Sequence, residues 1–290
     1  IHFRIRRDVM ARPDRWPLHV RVVVANPAER ARAAANCQYI ASRLPDVTLE
    51  VVSDASPASR IAVIVPAYNV GRFLPQCLDS LLAQTVPVDV FCCDDGSTDE
   101  TGRILDEYAA RFPRVHALHH PNRGMSSTYN RLLDELPSEY EFVGIVDSDD
   151  YVHPEMFDSL LTALSCAGAE VAECGMVSVS PDAVPPYGMS VGTPIDLNRT
   201  IDDMSVYWLR RTSPAGWINK CNKLYRREAI GSVRFRAGLD YEDDFFFATE
   251  VNARIRRKVI VSDRFYAYRR NPNSLNGRIN FQKYLSSAAL

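Results

Sequence analysis

Short apolar runs alternate with helix-like stretches along residues 61–146, and this alternation constrains the fold more than any other feature of the chain. The apolar runs are brief, uncharged and rich in branched residues, which is typical of strands buried on both faces of a parallel sheet. The stretches between them carry apolar residues at helical spacing. The predicted strands are residues 61–65, 88–93, 115–119 and 142–146, and the predicted helices are residues 71–84, 101–112 and 125–136. This order predicts an α/β fold with a mostly parallel sheet flanked by helices.

The rest of the chain extends this core in both directions. Residues 1–59 contain two strand candidates around an Ala/Arg-rich, helix-like stretch, and we interpret them as a small α/β appendage of unknown role. The stretch after residue 155 begins with a helix and a strand, followed by a Pro- and Gly-rich loop at residues 181–198 and a predicted helix at residues 202–211. Because the chain starts at Ile1, we expect it to be a piece of a longer protein. The predicted parts are the appendage at residues 1–59, a ligand-binding half at residues 60–155 and a second half at residues 156–290.

Composition excludes several classes of function. The formal net charge of the 290 residues is -2, so no overall basic field attracts nucleic acid or anionic membrane. The longest apolar runs are far too short to span a bilayer. The seven cysteines form no Cys-x-x-Cys pair, which favours buried free thiols in a reducing compartment over a disulfide framework. We therefore expect a cytoplasmic protein, and a peripheral contact with the inner face of the plasma membrane stays open.

Polar clusters follow three of the predicted strands, at residues 66–69, 94–99 and 147–150. Each cluster alone is typical of an ordinary strand-to-helix turn or a helix cap. In open α/β sheets, however, ligands bind in the crevice outside the carboxyl ends of the strands. The clusters would then combine the aromatic side chain of Tyr68, several carboxylates and a seat for a metal ion in one pocket. Such a pocket suits a nucleoside diphosphate.

Asp147 and Asp149 are the candidates for the metal seat. On an extended backbone, residues two apart point to the same side. Two neighbouring carboxylates repel each other unless a cation lies between them, and Mg²⁺ or Mn²⁺ prefers oxygen ligands of this kind. The alternative is a solvated acidic turn.

The polar clusters, taken in order, resemble the motifs of family 2 glycosyltransferases. These enzymes have the GT-A fold, which is Rossmann-like, and they invert the anomeric centre of the transferred sugar. The resemblance extends over residues 60–275. The motifs are Pro66-Ala67-Tyr68-Asn69, Asp94-Asp95-Gly96-Ser97-Thr98-Asp99, Asn122-Arg123-Gly124 and Asp147-Ser148-Asp149-Asp150.

The resemblance implies a donor site for a nucleotide-sugar. Which of Asp94 and Asp95 meets the base stays open. Arg123 is expected near the base or the diphosphate, with a plain surface charge as the alternative. Arg269, Arg270 and Ser274 are expected to fold back on the leaving diphosphate, with a solvated basic turn as the alternative. The implied donor residues are Pro66, Ala67, Tyr68, Asn69, Asp94, Asp95, Asn122, Arg123, Asp147, Ser148, Arg269 and Ser274.

The resemblance also implies how Mn²⁺ or Mg²⁺ is held. Asp149 is the expected direct ligand. Asp147 is expected close to the donor ribose or to a metal-bound water.

A second acidic cluster, Glu242-Asp243-Asp244, resembles the family motif that supplies the catalytic base. Inverting transfer needs a base that takes the proton of the acceptor hydroxyl, and a carboxylate is the usual choice. We predict that Asp243 is this base and that Glu242 binds the acceptor or orients Asp243. The alternative is an acidic first turn that complements the dipole of the following helix.

These inferences together predict a metal-dependent inverting glycosyltransferase that uses a nucleotide-sugar, with a UDP-sugar as the first choice. By family association, the acceptor is a glycan, a polyol-phosphate or a lipid-linked saccharide of the cell envelope. One alternative is a sugar nucleotidyltransferase, but residues 66–69 lack the Gly-rich, basic phosphate loop which that reaction needs. The other alternative is a non-catalytic nucleotide-binding or scaffolding module.

Overall fold

The computed structural model describes residues 18–24, 47–53, 61–183, 199–201, 219–236 and 243–271. The chain divides into two compact units, Ile1–Ser59 and Arg60–Leu290. In the first unit, strands β1 (Leu18–Val24) and β2 (Val47–Ser53) form a parallel pair, at the places where the sequence predicts strands. The helix-like stretch predicted between them lies outside the described residues.

The second unit contains a sheet of nine described strands whose first half is parallel. This half consists of β3 (Ile61–Ala67), β4 (Val88–Asp94), β5 (Val115–His119) and β6 (Phe142–Ile145). Strands β3 and β4 pair in parallel from Ile61 opposite Val88 to Ala67 opposite Asp94. The order β5-β4-β3-β6 is the one expected when each strand is joined to the next through a helix.

The second half of the sheet is mixed. It consists of β7 (Tyr151–Val152), β8 (Val171–Val179), β9 (Arg199–Ile201), β10 (Lys223–Arg226) and β11 (Lys258–Arg269). Strand β10 runs antiparallel to both β6 and β8, and β11 is parallel to β8 but antiparallel to β7 and β9. The predicted α/β fold is therefore correct, while parallel pairing within this sheet is confined to strands β3 to β6 and to the β8–β11 pair.

Helices cover both faces of the sheet, which explains why β3 is apolar at every position. Ile61, Val63 and Val65 belong to one core cluster, and Ala62 and Ile64 belong to the other. The helices are α1 (Leu74–Leu82), α2 (Thr101–Arg111), α3 (Met125–Glu135), α4 (Met156–Ala167), α5 (Arg227–Ile230) and α6 (Asp243–Asn252). Among the described residues, no helix is both long and apolar enough to cross a bilayer. Most of the loop predicted at 181–198 and the helix predicted at 202–211 lie outside them.

Candidate active site

The candidate site lies where β3, β4 and β6 end. These strands are parallel, so their carboxyl ends share one edge of the sheet. The first two turns are joined directly, because the Asp95 amide donates to the carbonyl oxygen of Ala67 at 2.8 Å. This is the edge at which the sequence places its polar clusters.

The turn after β3 presents two of its four predicted donor residues to solvent. Pro66 and Ala67 are buried within β3, whereas Tyr68 is 41% exposed and Asn69 is also exposed. Asn69 has a φ of 51°, in the left-handed region that asparagine tolerates better than most residues. Its amide donates to Ser97 Oγ at 2.9 Å, and its Oδ1 accepts from the Thr98 amide at 2.8 Å. Asn69 therefore ties the first turn to the second, and the ring of Tyr68 is left exposed at this edge of the sheet.

The two aspartates after β4 are buried and hold the neighbouring backbone. Asp94 is 6% exposed, and its Oδ1 accepts from the Ser97 amide at 3.0 Å. Asp95 is 1% exposed, and its two oxygens accept from the amides of Arg123 and Gly124 at 2.8 and 3.0 Å. Both carboxylates thus hold the backbone of the strand-end turns in this structure.

Asn122 and Arg123 are exposed and stand at the rim of these turns. The Arg123 amide donates a hydrogen bond to the Asp95 carboxylate, and the backbone of Gly96 approaches that of Asn122 closely. A Cβ atom built at Gly96 would lie 2.6 Å from the Asn122 amide nitrogen, and the φ of Gly96 is 71°. A glycine is therefore required where the two turns meet.

The acidic cluster after β6 forms a turn, so the extended backbone assumed in the sequence analysis is wrong. The strand ends at Ile145, and the Asp150 amide donates to the Asp147 carbonyl oxygen at 3.0 Å. The exposure still alternates, because Asp147 and Asp149 are half-buried whereas Ser148 and Asp150 are buried. Asp147 and Asp149 are thus the two acidic side chains of the turn that reach solvent.

Strand β11 fixes the back of this turn. The Tyr266 hydroxyl accepts from the Asp147 amide at 3.1 Å and donates to Asp150 Oδ2 at 2.8 Å. The Arg269 amide donates to Asp150 Oδ1 at 2.7 Å. Burial, followed by the charges of Asp149 and Asp147, raises the pKa of Asp150 well above its ordinary value. Asp150 is therefore a structural carboxyl group that holds the turn between Asp147 and Asp149.

Arg269 is a buried anchor of the turn. It is 2% exposed, which excludes the alternative of a solvated basic turn for this residue. Its Nε donates to the Asp149 carbonyl oxygen at 2.6 Å, and its other two nitrogens donate to the Pro181 carbonyl and to Gln76 Oε1. A contact between this guanidinium and a diphosphate would require some of these bonds to be exchanged.

The donor set at Asp147 and Asp149 fits a divalent metal ion that also binds phosphate. Burial, followed by the charge of Asp147, raises the pKa of the Asp149 carboxyl, so a cation there would relieve an unfavourable environment. Among the described residues, no group of three or more His, Cys, Asp or Glu side chains could enclose a metal ion. The protein would therefore supply one or two carboxylates, and diphosphate oxygens and water would complete the shell, as Mg²⁺ commonly requires.

Lys220 pairs with Asp147 and is not among the site residues predicted from the sequence. Its Nζ lies 3.2 Å from Asp147 Oδ1 and 2.7 Å from Asp244 Oδ1. Burial opposes the charge of Lys220, but Asp147 and Asp244 outweigh it and raise the pKa of the lysine. No local pattern in the sequence predicts this contact, because its three residues come from distant parts of the chain.

Asp243 is the first residue of α6, directly before Asp244. The side chain of Asp243 is outside what the structure describes, as are Glu242 and Ser274. The roles predicted for these three residues stay predictions.

Comparison with known proteins identifies the family of this chain. The profile described as "Glycosyl transferase family 2" matches residues 62–233, so the chain belongs to this family. The chain is 31% identical over 227 residues to "Uncharacterized glycosyltransferase EpsJ" of Bacillus subtilis (strain 168). The match covers 74% of this chain and 62% of EpsJ, so the chain spans less than two thirds of that relative.

Two solved structures show the same GT-A arrangement of sheet and helices. S. aureus TarS 1-349 in complex with UDP-GlcNAc matches with a TM-score of 0.59 and 22% identity, covering 76% of this chain and 61% of TarS. The mannosyltransferase PcManGT from Pyrobaculum calidifontis, in complex with GDP-Man and Mn²⁺, matches with a TM-score of 0.54 and 18% identity. That match covers 86% of this chain and 68% of PcManGT. At these identities the likeness concerns the fold, and the predicted fold class is confirmed.

Proposed function

We propose that this chain is a metal-dependent inverting glycosyltransferase that transfers a sugar from a UDP-sugar to a glycan, a polyol-phosphate or a lipid-linked saccharide of the cell envelope. The observation that carries the proposal is the meeting of three polar turns at one sheet edge in a member of glycosyl transferase family 2. Two of these turns are tied together by hydrogen bonds, and the third presents Asp147 and Asp149.

On the donor side, Tyr68 would stack on the nucleotide base, and Asp149 would be the direct ligand of Mn²⁺ or Mg²⁺. The metal ion, when bound, would neutralise the negative charge that develops on the diphosphate leaving group. The raised pKa of Asp149 supports this role, because a cation favours the ionised carboxylate. UDP-GlcNAc in the TarS structure and Mn²⁺ in the PcManGT structure make these ligands the first to test.

On the acceptor side, Asp243 would take the proton of the acceptor hydroxyl as its oxygen attacks the anomeric carbon. Attack from the face opposite the leaving diphosphate inverts that centre. Glu242 would bind the acceptor or orient Asp243. The ion pairs from Lys220 to Asp147 and to Asp244 support this assignment, because they bring the start of α6 beside the donor turn.

A transfer assay tests the proposal. UDP-sugars are incubated with Mn²⁺ and candidate saccharide or polyol-phosphate acceptors, and released UDP and glycosylated product are measured together. Asp243→Asn is expected to bind UDP as the wild type does and to lower kcat by at least about 100-fold, the lower end for losing a general base. UDP binding without turnover on any acceptor would favour the scaffolding module. Release of pyrophosphate from UTP and a sugar 1-phosphate would favour the nucleotidyltransferase.

A further inference from the structure

A buried lysine joins the donor turn to the helix that begins with the candidate base. Lys220 is 7% exposed, and its ammonium pairs with Asp147 after β6 and with Asp244 in the first turn of α6. An ammonium group is costly to bury unless it is paired and hydrogen-bonded. The two carboxylates meet that requirement, and they come from the two sides of the candidate site.

Further contacts fix the lysine in this place. The Tyr225 hydroxyl donates to the Lys220 carbonyl oxygen at 2.8 Å. The Lys220 ammonium lies 5.0 Å from the centre of the Tyr129 ring, whose hydroxyl donates to Asp147 Oδ1 at 2.5 Å. The position of the charge is therefore determined by a ring, a hydroxyl and two carboxylates rather than by one flexible contact.

The same aromatic ring begins a stack that reaches α6. The rings of Tyr129 and Phe235 are stacked with centres 4.4 Å apart, and those of Phe235 and Phe247 are stacked at 4.1 Å. This stack holds the middle of the helix. The ion pair between Lys220 and Asp244 holds the first turn of α6.

We propose that Lys220 is a positioning residue for sugar transfer, which holds the first turn of α6, and with it Asp243, at a fixed distance from Asp147 and the donor. This inference rests on the proposed function. A base acts only within hydrogen-bonding reach of the hydroxyl, and a displacement of about 1 Å can lower the rate about 100-fold. Lys220 acts through Asp244 and does not touch the reacting atoms.

The test compares two buried lysines of one segment. Lys220→Met removes the ammonium and keeps the length of the side chain. The matched control is Lys223→Met, because Lys223 is also buried, at 3% exposure, but contacts neither Asp147 nor Asp244 in the described structure. Its ammonium donates to Asn219 Oδ1 at 2.6 Å and to Asn222 Oδ1 at 2.9 Å, and it pairs with Glu173 at 3.4 Å. Glu173 keeps a second partner in the control, since Lys258 Nζ lies 2.5 Å from its Oε2.

Each variant is measured by titration calorimetry with UDP and Mn²⁺ and by the transfer assay. Calorimetry gives the fraction of molecules with a working donor site, and kcat is expressed per site. We expect Lys220→Met to keep its UDP-binding stoichiometry, to change the Kd of UDP by less than about fivefold and to lower kcat per site at least about 30-fold. Lys223→Met is expected to keep kcat per site. A Lys220→Met variant with wild-type kcat per site, or with the same fractional loss as Lys223→Met, would overturn the inference.

Asp244→Asn provides a second route if Lys220→Met does not fold. It leaves Lys220 paired with Asp147, and it is expected to lower kcat per site about tenfold while the donor site stays intact. If Lys220→Met folds, the double variant should be no slower than Lys220→Met, because both changes break the same link. Losses that multiply in the double variant, or an unchanged kcat in Asp244→Asn, would refute the link. Failure of the proposed function would appear differently, as wild-type protein that binds UDP and transfers no sugar.

Discussion

Replacing Arg269 with methionine tests whether this residue holds the donor turn or binds the diphosphate. The guanidinium donates to the Asp149 carbonyl, the Pro181 carbonyl and Gln76 Oε1. It also lies 4.7 Å from the centre of the Phe73 ring and 5.4 Å from that of Tyr151. Methionine fills much of the same volume, so the change removes the charge and the donors more than the packing.

The expected loss of stability follows from these contacts. An acceptor left without its partner in a buried place costs about 1–3 kcal/mol, and Arg269→Met would leave three such acceptors. We therefore expect Arg269→Met to lower the free energy of unfolding by about 3–5 kcal/mol. For a unit of this size, about 1 kcal/mol corresponds to a Tm change of about 2–4 °C, so the melting temperature should fall by roughly 10 °C.

The neighbouring Arg270 supplies the matched control, because it is exposed and its Nε donates to Ser178 Oγ at 2.8 Å. Arg270→Met should change the free energy of unfolding by less than about 1 kcal/mol. Urea unfolding measures both variants, and calorimetry compares UDP with UMP. If Arg269→Met stays within about 1 kcal/mol of the wild type and loses affinity for UDP but not for UMP, the anchoring role is refuted in favour of the diphosphate contact.

Three further predictions concern the sheet and its edge. A Cβ atom at Gly144 would lie 2.5 Å from the Phe157 ring, so Gly144→Ala should lower the free energy of unfolding in urea by about 1–3 kcal/mol, and a loss below about 0.5 kcal/mol would contradict this packing. Because Asp95 accepts two backbone amides while buried, Asp95→Ala should cost about 2–4 kcal/mol in urea and Asp95→Asn less; equal losses would be evidence against these bonds. Burial and the charge of Asp147 raise the pKa of Asp149 above the ordinary carboxyl value of about 4. At mildly acidic pH the carboxyl group therefore still holds its proton, which Mn²⁺ must displace in order to bind. The affinity for Mn²⁺ with saturating UDP should therefore fall in calorimetry as the pH is lowered from neutral, and it should fall less in Asp149→Asn, which has no carboxyl group to protonate at this position. The same pH dependence in both proteins would show that Asp149 is not the ligand.

The strands and helices of the first half could be predicted because their signals are local. Apolar runs and helical spacing place β3 to β6 and α1 to α3 within a few residues of their observed bounds. The largest difference is at the start of α1, which begins at Leu74 rather than at residue 71. The amides of Val70 and Gly71 are taken by Thr101 Oγ1 and Asp99 Oδ2, so the chain enters the helix three residues later.

The arrangement of the second half of the sheet depends on long-range contacts that have no local signal in the sequence. Strand β10 is only four residues long and is inserted between β6 and β8, so its antiparallel pairing has no periodic signal. Strand β11 was not predicted, although its Tyr266 and Arg269 hold the turn that carries Asp147 and Asp149. Lys220 was not predicted for the same reason, because it pairs with two carboxylates that are distant from it in the chain.

The proposed donor site is tested by thermal unfolding of the wild type and of Asp149→Ala with UDP, GDP, CMP and dTDP, each with and without Mn²⁺. A ligand that binds only the folded protein raises Tm by mass action. At a concentration of 100 times its Kd, it adds about 2.7 kcal/mol to the free energy of unfolding. The account predicts that UDP raises Tm when Mn²⁺ is present and that the increase disappears in Asp149→Ala. If no nucleotide raises the Tm of the wild type, the sheet edge is not a nucleotide-sugar site, and the proposed function is contradicted.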